Sequence, residues 1–431
     1  MQFEKIIKQG LIWRGFQFSA ILFLNVVLSR YLQAAGAGWV YFLTNFFSLS
    51  VLVGSFNIDS AYIYFSANKG LPKVALSWFG LAFTIIVSLL LIPVFYVYFT
   101  YNSIHNVSIS NTIVYGEYYT FGIILTNLFA GMFFAQRDYF SPGLSTGLVN
   151  FALSFYIIYL DKTHVPYMQV VNTYFLFFTF QGTIVAIIYF IKNNIFLSFE
   201  FPTLLQLSKL FKYSMIAFTA ALFYFLVCRI DYWFVERYRS PAELGNYIQA
   251  SKMGIMLLII PQILASVILP QIAEGSNKEF ITKNILIISR LLIQFFIILM
   301  ALDIFFGQAV FSIVFGKSFY MMNLPFLLLL PGILSLSILT LFSAYFGGNN
   351  RLKVDVVGAG IALIFVVSCN CIFTQKYGIS AAAIISSIGY TINLGYSTFI
   401  FFRTEKEHSI KDFFSWKRTD YQLIKETFRR G

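Results

Sequence analysis

The sequence predicts an all-α polytopic membrane protein of twelve transmembrane helices in two pseudo-symmetric six-helix bundles. Three observations predict it: an apolar composition, apolar segments of spanning length, and an echo between the halves. The chain has 431 residues, 58% of them hydrophobic and only 11% charged, whereas a soluble domain carries about 25% charged residues. The 52 Phe and 27 Tyr gather near segment ends, where aromatic belts form.

A spanning helix needs about 20 mainly apolar residues. Segments of that kind run over 11–31, 38–66, 74–100, 111–134, 141–160 and 168–191, then 209–234, 243–272, 283–307, 320–347, 353–373 and 378–402. These limits imply an N-terminal bundle over 1–200, a C-terminal bundle over 201–402 and a basic tail over 403–431. Pro261 and Pro270 fall within the eighth segment, and each removes a backbone hydrogen bond and bends the helix.

Orientation follows from charge. Twenty Lys and Arg lie on one set of connections and the tail, six on the other set, and four within segments. Cytoplasmic loops carry the excess, so both termini are expected in the cytoplasm. The net charge of +12 is therefore a topology signal, not one for nucleic acid. In the tail, Ile410, Phe413, Phe414, Tyr421, Ile424 and Phe428 recur at helical spacing among basic residues. That pattern predicts an interfacial helix on an anionic leaflet.

The halves echo each other. Arg30-Tyr31 is followed by Gly38 and Tyr41; Arg237-Tyr238 is followed by Gly245 and Tyr247. The arginines are about half the chain apart, which predicts a parallel repeat. Transporters built from such repeats hold substrate at the repeat interface and rock one half against the other.

Several classes fit poorly. No connection is long enough for a catalytic domain, and there is no GxxxxGK[ST] loop for a nucleotide. His105, His164 and His408 lack metal-ligand spacing, and Cys228, Cys369 and Cys371 suggest neither disulfides nor a metal. The opening MQFEKIIKQG lacks a cleavable signal pattern. We therefore expect no enzyme, no cofactor and no metal site.

Charge inside apolar segments is the strongest functional signal, because an ionised group there costs roughly 2.5–3.5 kcal/mol by insertion scales. Arg229 and Asp231 end the seventh segment, and Lys252 lies inside the eighth. Arg229 and Asp231 are about 200° apart on a helix, so one faces a cavity while the other braces a neighbour. The alternative for Arg229 is snorkelling to the interface. Arg14, one turn into the first segment, is either a head-group ligand or an interfacial anchor. Asp59, Glu117, Asp231 and Asp303 are candidates for proton or sodium coupling or for ion pairs. Arg290 is expected to pair with a carboxylate or loop.

Particular strings resemble a known family. These are Trp13-Arg14, SRYLQAAGAGWVYF at 29–42, RIDYWFV at 229–235, LGNYIQASKMG at 244–254, FGKSFY at 315–320 and YGISAAAIISSIGY at 377–390. In order and spacing they are similar to the polysaccharide or oligosaccharide (O-antigen type) flippases of the multidrug/oligosaccharidyl-lipid/polysaccharide transporter superfamily. The chain lacks the two extra C-terminal helices and the denser first-helix arginines of the lipid II flippases. The resemblance implies two six-helix bundles around a central cavity lined by helices one, two, seven and eight. It implies a bacterial inner-membrane protein that flips an undecaprenyl-pyrophosphate-linked glycan for O-antigen or capsule. Membrane lipid and a polysaccharide polymerase are the further partners. Arg14, Arg229 and Lys252 are then the head-group ligands. The rivals are a drug/cation exporter of the same superfamily, which favours an acidic cavity, and a membrane polymerase or glycosyltransferase.

Overall fold

The computed structural model describes residues 2–67, 70–102, 107–163, 165–273, 278–349, 351 and 353–405. The tail helix expected beyond 405 lies outside them. The described residues are helical throughout: α1 (Gln2–Ser55), α2 (Ile58–Ala67), α3 (Lys73–Tyr101), α4 (Ile109–Ala135), α5 (Phe140–Lys162), α6 (Tyr167–Lys192), α7 (Leu204–Arg229), α8 (Asp231–Tyr238), α9 (Pro241–Met256), α10 (Ile259–Ala273), α11 (Lys278–Phe315), α12 (Asn323–Gly348) and α13 (Lys353–Thr404), with short 3₁₀ turns at Ile195–Leu197 and Lys317–Phe319.

Ten helical stretches among the described residues are long and apolar enough to cross a membrane. The difference from twelve segments arises at α1 and α13, each of which holds two helices that meet at a sharp break. One residue breaks each helix: Gln33 (φ 55, ψ 173) and Gly378 (φ 74, ψ −156). The chain turns back at each break: Tyr41 bonds to the Ser29 hydroxyl at 2.7 Å, whereas twelve residues of straight helix would span about 18 Å, and a Cβ on Gly389 would lie 2.3 Å from a Val366 methyl on the other half of α13.

Both breaks satisfy the carbonyls they strand. Arg239 donates to the carbonyls of Thr374 and Gln375 at 3.1–3.3 Å, closing the helix end ahead of Gly378, where φ is positive and a side chain is disfavoured. At the other break the Gln33 amide donates to the Arg30 carbonyl at 2.6 Å.

Proline acts where expected in the eighth segment. The helix is interrupted between α9 and α10, at Leu257 and Leu258. Pro261 cannot donate to the carbonyl of Leu257, four residues earlier, so the ladder fails there. The start of α9 is held by a capping box. Ser240 accepts from the Glu243 amide, the Glu243 carboxylate accepts from the Ser240 amide, and Pro241 follows the cap.

The chain divides into two compact units, residues 1–225 with 314–318, and residues 226–313 with 319 onward. The division falls inside α7 and not at the expected 200/201 boundary. The reason is aromatic: on α7, Tyr213 stacks on Tyr64 at 4.6 Å, and Phe211 and Phe218 meet Phe83 and Phe56. These rings bind the first part of α7 to the first unit.

In the first unit, α4 and α6 touch through backbone. A Cβ on Gly122 would lie 2.0 Å from the Phe178 carbonyl oxygen, and one on Gly182 would lie 2.3 Å from that of Gly122. Small residues permit such approach in membrane helices. Beside this contact, buried Gln181 accepts from Asn150 at 3.0 Å and donates to Thr126 at 3.3 Å, tying α4, α5 and α6 together. In the second unit, Ile268, Ile272, Ile285, Phe342, Tyr345 and Phe401 form the core between α10, α11, α12 and α13. Outward residues such as Leu89, Leu90 and Val94 on α3 and Ile297, Ile298 and Phe305 on α11 are half exposed or more. Apolar faces of this extent on spanning helices are lipid-facing, and the molecule is a multi-pass membrane protein.

Candidate functional site

The second unit gathers its polar groups where α8, α9 and the latter part of α13 meet. Asp231 opens α8, which places its carboxylate in a first helical turn that favours negative charge. It is fully buried. One carboxylate oxygen accepts from the Tyr247 hydroxyl of α9 at 2.5 Å and the Ser386 hydroxyl of α13 at 2.6 Å. The other oxygen has no hydrogen-bond partner. Asp231 therefore ties α8 to α9 and α13. The ion-pair reading needs correction, since the groups it bonds are two hydroxyls.

The surrounding shell is phenolic. Tyr232 donates to Ser251 at 2.8 Å and sits edge-on to Tyr247, with centroids 5.9 Å apart. Tyr390 donates to the Cys228 carbonyl at 3.4 Å. Nearby on α13, Thr374 donates to Asn370 at 2.6 Å, and Asn370 to the Val366 carbonyl at 2.8 Å. Helical spacing explains the assembly. Tyr247 and Ser251 share one face of α9, and Ser386, Tyr390, Asn393 and Ser397 form one stripe of α13.

The opposite face of α9 carries Gln249 and Lys252, three residues apart. Gln249 is 1% exposed, and neither its oxygen nor its nitrogen has a hydrogen-bond partner. Lys252 is half-buried. Arg229, at the end of α7 and also half-buried, is close enough for its charge to act on both Lys252 and Tyr232. Arg229 and Lys252 are thus within electrostatic reach of each other, and Gln249 shares the Lys252 face of α9. Two like charges in a poorly solvated place repel each other and attract an anion more strongly than either alone.

The remaining candidates lie on other helices. Arg290, on α11, is buried, and Asp303 is buried farther along the same helix. In the first unit, the Arg14 guanidinium packs 5.3 Å over Phe134 and 5.4 Å over Tyr139, a cation–π arrangement at the α4–α5 connection. Asp59 lies in the first turn of α2, favourable for a carboxylate. Glu117, on α4, keeps one buried oxygen without a hydrogen bond.

One charged cluster outside the membrane segments was not foreseen as a unit. Asp138, in the α4–α5 connection, accepts from Lys192 at 2.7 Å and from the Ser141 amide and hydroxyl at 3.1 and 2.7 Å. Burial alone raises a carboxyl pKa, but these bonds and the Lys192 charge outweigh it and hold Asp138 below its ordinary value.

No family model matches the chain. A probable low-salt glycan biosynthesis flippase, Agl15 of Haloferax volcanii, is 22% identical over 212 residues, covering 47% of this chain and 43% of that protein. Solved structures match along much more of the chain. An inward-facing multidrug resistance MATE family transporter of the MOP superfamily superposes with a TM-score of 0.69 at 14% identity, over 90% of this chain and 94% of its own. The lipid II flippase MurJ, inward closed, gives 0.69 at 16% identity, over 94% and 89%. A MOP superfamily transporter from Pyrococcus furiosus, described as having a binding pocket of reverse polarity, gives 0.64 at 13%, over 93% and 95%. The chain has the fold of MOP superfamily transporters.

Proposed function

We propose that the protein flips a polyprenyl-pyrophosphate-linked oligosaccharide across the cytoplasmic membrane by alternating access. In this reading the chain crosses twelve times, with the breaks in α1 and α13 at membrane surfaces and both termini cytoplasmic. The cargo is an undecaprenyl-pyrophosphate-linked repeat unit for O-antigen or capsule, and no covalent bond is made or broken. The observation that carries the reading is the placement of two basic residues, Arg229 at the end of α7 and Lys252 on α9, both half-buried in the second unit. A pyrophosphate brings a compact double negative charge, which a neighbouring guanidinium and ammonium match as a fork and a point charge. Buried Gln249, on the face of α9 that carries Lys252, supplies a donor and an acceptor for sugar hydroxyls. Arg14 is a separate station for the head group, and the open oxygen of Asp231 is the place for a coupling proton or sodium ion.

A drug/cation exporter is the rival that the MATE likeness keeps in view, and charge reversal separates the two. In a strain that depends on the protein for surface polysaccharide, Lys252→Arg retains part of the surface glycan. Lys252→Ala lowers it at least about tenfold, the effect of some 1.4 kcal/mol, and Lys252→Glu abolishes it at equal membrane abundance. Normal glycan in the alanine and glutamate variants would remove the cationic-site reading. An exporter of cationic drugs predicts the reverse order.

A further inference from the structure

A second buried carboxylate meets an acceptor where it should meet a donor. Asp303 lies in the middle of α11 and is 6% exposed. Asn323 is the first residue of α12. Both oxygens crowd one point above Gly307, a turn beyond Asp303: a Cβ there would be 2.2 Å from an Asp303 carboxylate oxygen and 2.1 Å from the Asn323 amide oxygen. The second Asp303 oxygen and the Asn323 oxygen are buried without hydrogen-bond partners. Gln308, one residue past the notch, donates instead to the Tyr320 carbonyl at 3.1 Å. No cation or hydroxyl bonds to Asp303 among the described residues.

Two converging acceptors repel each other, and an ionised carboxylate in hydrocarbon adds a large desolvation cost. A positive species between them removes both penalties. We propose that Asp303, Asn323 and the notch at Gly307 form a binding site for a small cation, either a proton on the Asp303 carboxyl or a sodium ion. A proton turns Asp303 into a donor to the Asn323 oxygen; a hard cation takes both oxygens as ligands. The absent side chain at residue 307 is what leaves the room. Coupling of this site to transport rests on the flippase reading above, whereas cation binding does not, so the test reads binding alone.

The full-length protein, purified in detergent, is melted in sodium chloride and in choline chloride at equal ionic strength. Wild type is compared with Asp303→Asn and with Gly307→Ala, whose methyl group fills the notch while the carboxylate remains. A sodium-dependent rise in melting temperature that both variants lose identifies sodium as the ligand. If sodium has no effect, infrared difference spectra between about pH 5 and about pH 8 show a protonated-carboxyl band in wild type that Asp303→Asn lacks, which identifies the proton. Should Asp303→Asn not fold, loss of either signal in Gly307→Ala carries the result. A sodium effect of unchanged size in both variants, with no protonated-carboxyl band lost in Asp303→Asn, or the absence of both signals in wild type, overturns the proposal; sodium held at Asp231 alone gives the first of these. The second of these results is what an Asn323 amide turned to donate to an ionised Asp303 would give.

Discussion

The two units use one tyrosine device with different partners. Tyr41 and Tyr247 each follow the glycine of the sequence echo within three residues, and both are buried. Tyr41 shares a 2.7 Å hydrogen bond with the Ser29 hydroxyl, and its oxygen lies 3.4 Å from the Asn25 carbonyl. Tyr247 donates to a carboxylate, Asp231, which also holds Ser386 and leaves one oxygen open. In the first unit the device is neutral and closed. In the second it centres on a buried carboxylate with an unused acceptor, a few residues from Arg229 and Lys252. A buried tyrosine thus bonds a hydroxyl in the first unit and a carboxylate in the second.

The first unit has its tightest packing elsewhere, at the backbone contact of α4 and α6, and the largest effect is expected there. Gly122→Val drives a side chain into the Phe178 carbonyl, which cannot move as a flexible side chain would. The cost exceeds the ~1–3 kcal/mol of ordinary overpacking, and the variant should fail to give a monodisperse peak after detergent extraction. A wild-type elution profile and melting temperature would show that the helices do not touch as described.

The next effect sharpens the comparison itself. Asp231→Leu leaves the buried Tyr247 and Ser386 hydroxyls without their acceptor, at about 1–3 kcal/mol each. Asp231→Asn keeps an oxygen for both and should melt close to wild type. The counterpart, Ser29→Ala, leaves Tyr41 the Asn25 carbonyl and should cost about 1 kcal/mol or less. Thermal melts that rank Ser29→Ala with Asp231→Leu would erase the distinction between the units.

The smallest effect concerns Asp138. Its folded pKa lies below the ordinary 3.8, so its contribution to stability is complete above that value and is lost as pH falls through the lowered one. Lys192 is 53% exposed, so the pair is worth less than about 1 kcal/mol. Asp138→Asn should be slightly less stable than wild type near neutrality, with the gap closing only in strong acid. A gap that closes above the ordinary aspartate range would mean that the carboxylate is not held as described.

The legibility of these features in the sequence follows from charge and periodicity. Long apolar runs located the spanning helices, and Pro261 marked the break between α9 and α10. Ser386, 155 residues from Asp231 in the chain, gave no signal, because a lone hydroxyl in an apolar helix looks like any small residue. Gln249 and Asn323 are hidden for the same reason: a neutral amide in an apolar helix adds no charge to the pattern. The sharp breaks in α1 and α13 gave no signal either, since a single residue with positive φ redirects the chain without a polar loop. Asp138 and Lys192 lie in separate connections, and nothing in their spacing announces a pair.

The account stands most directly on whether the protein moves a glycan pyrophosphate. Purified protein reconstituted into liposomes containing undecaprenyl-pyrophosphate-linked oligosaccharide can be challenged with a membrane-impermeant glycosidase, which removes only outward-facing glycan. Wild-type liposomes should lose glycan well past the outward-facing fraction, while Lys252→Glu liposomes should stop at the level of protein-free liposomes. Wild type that stops at that same level, or Lys252→Glu that matches wild type, would contradict the account.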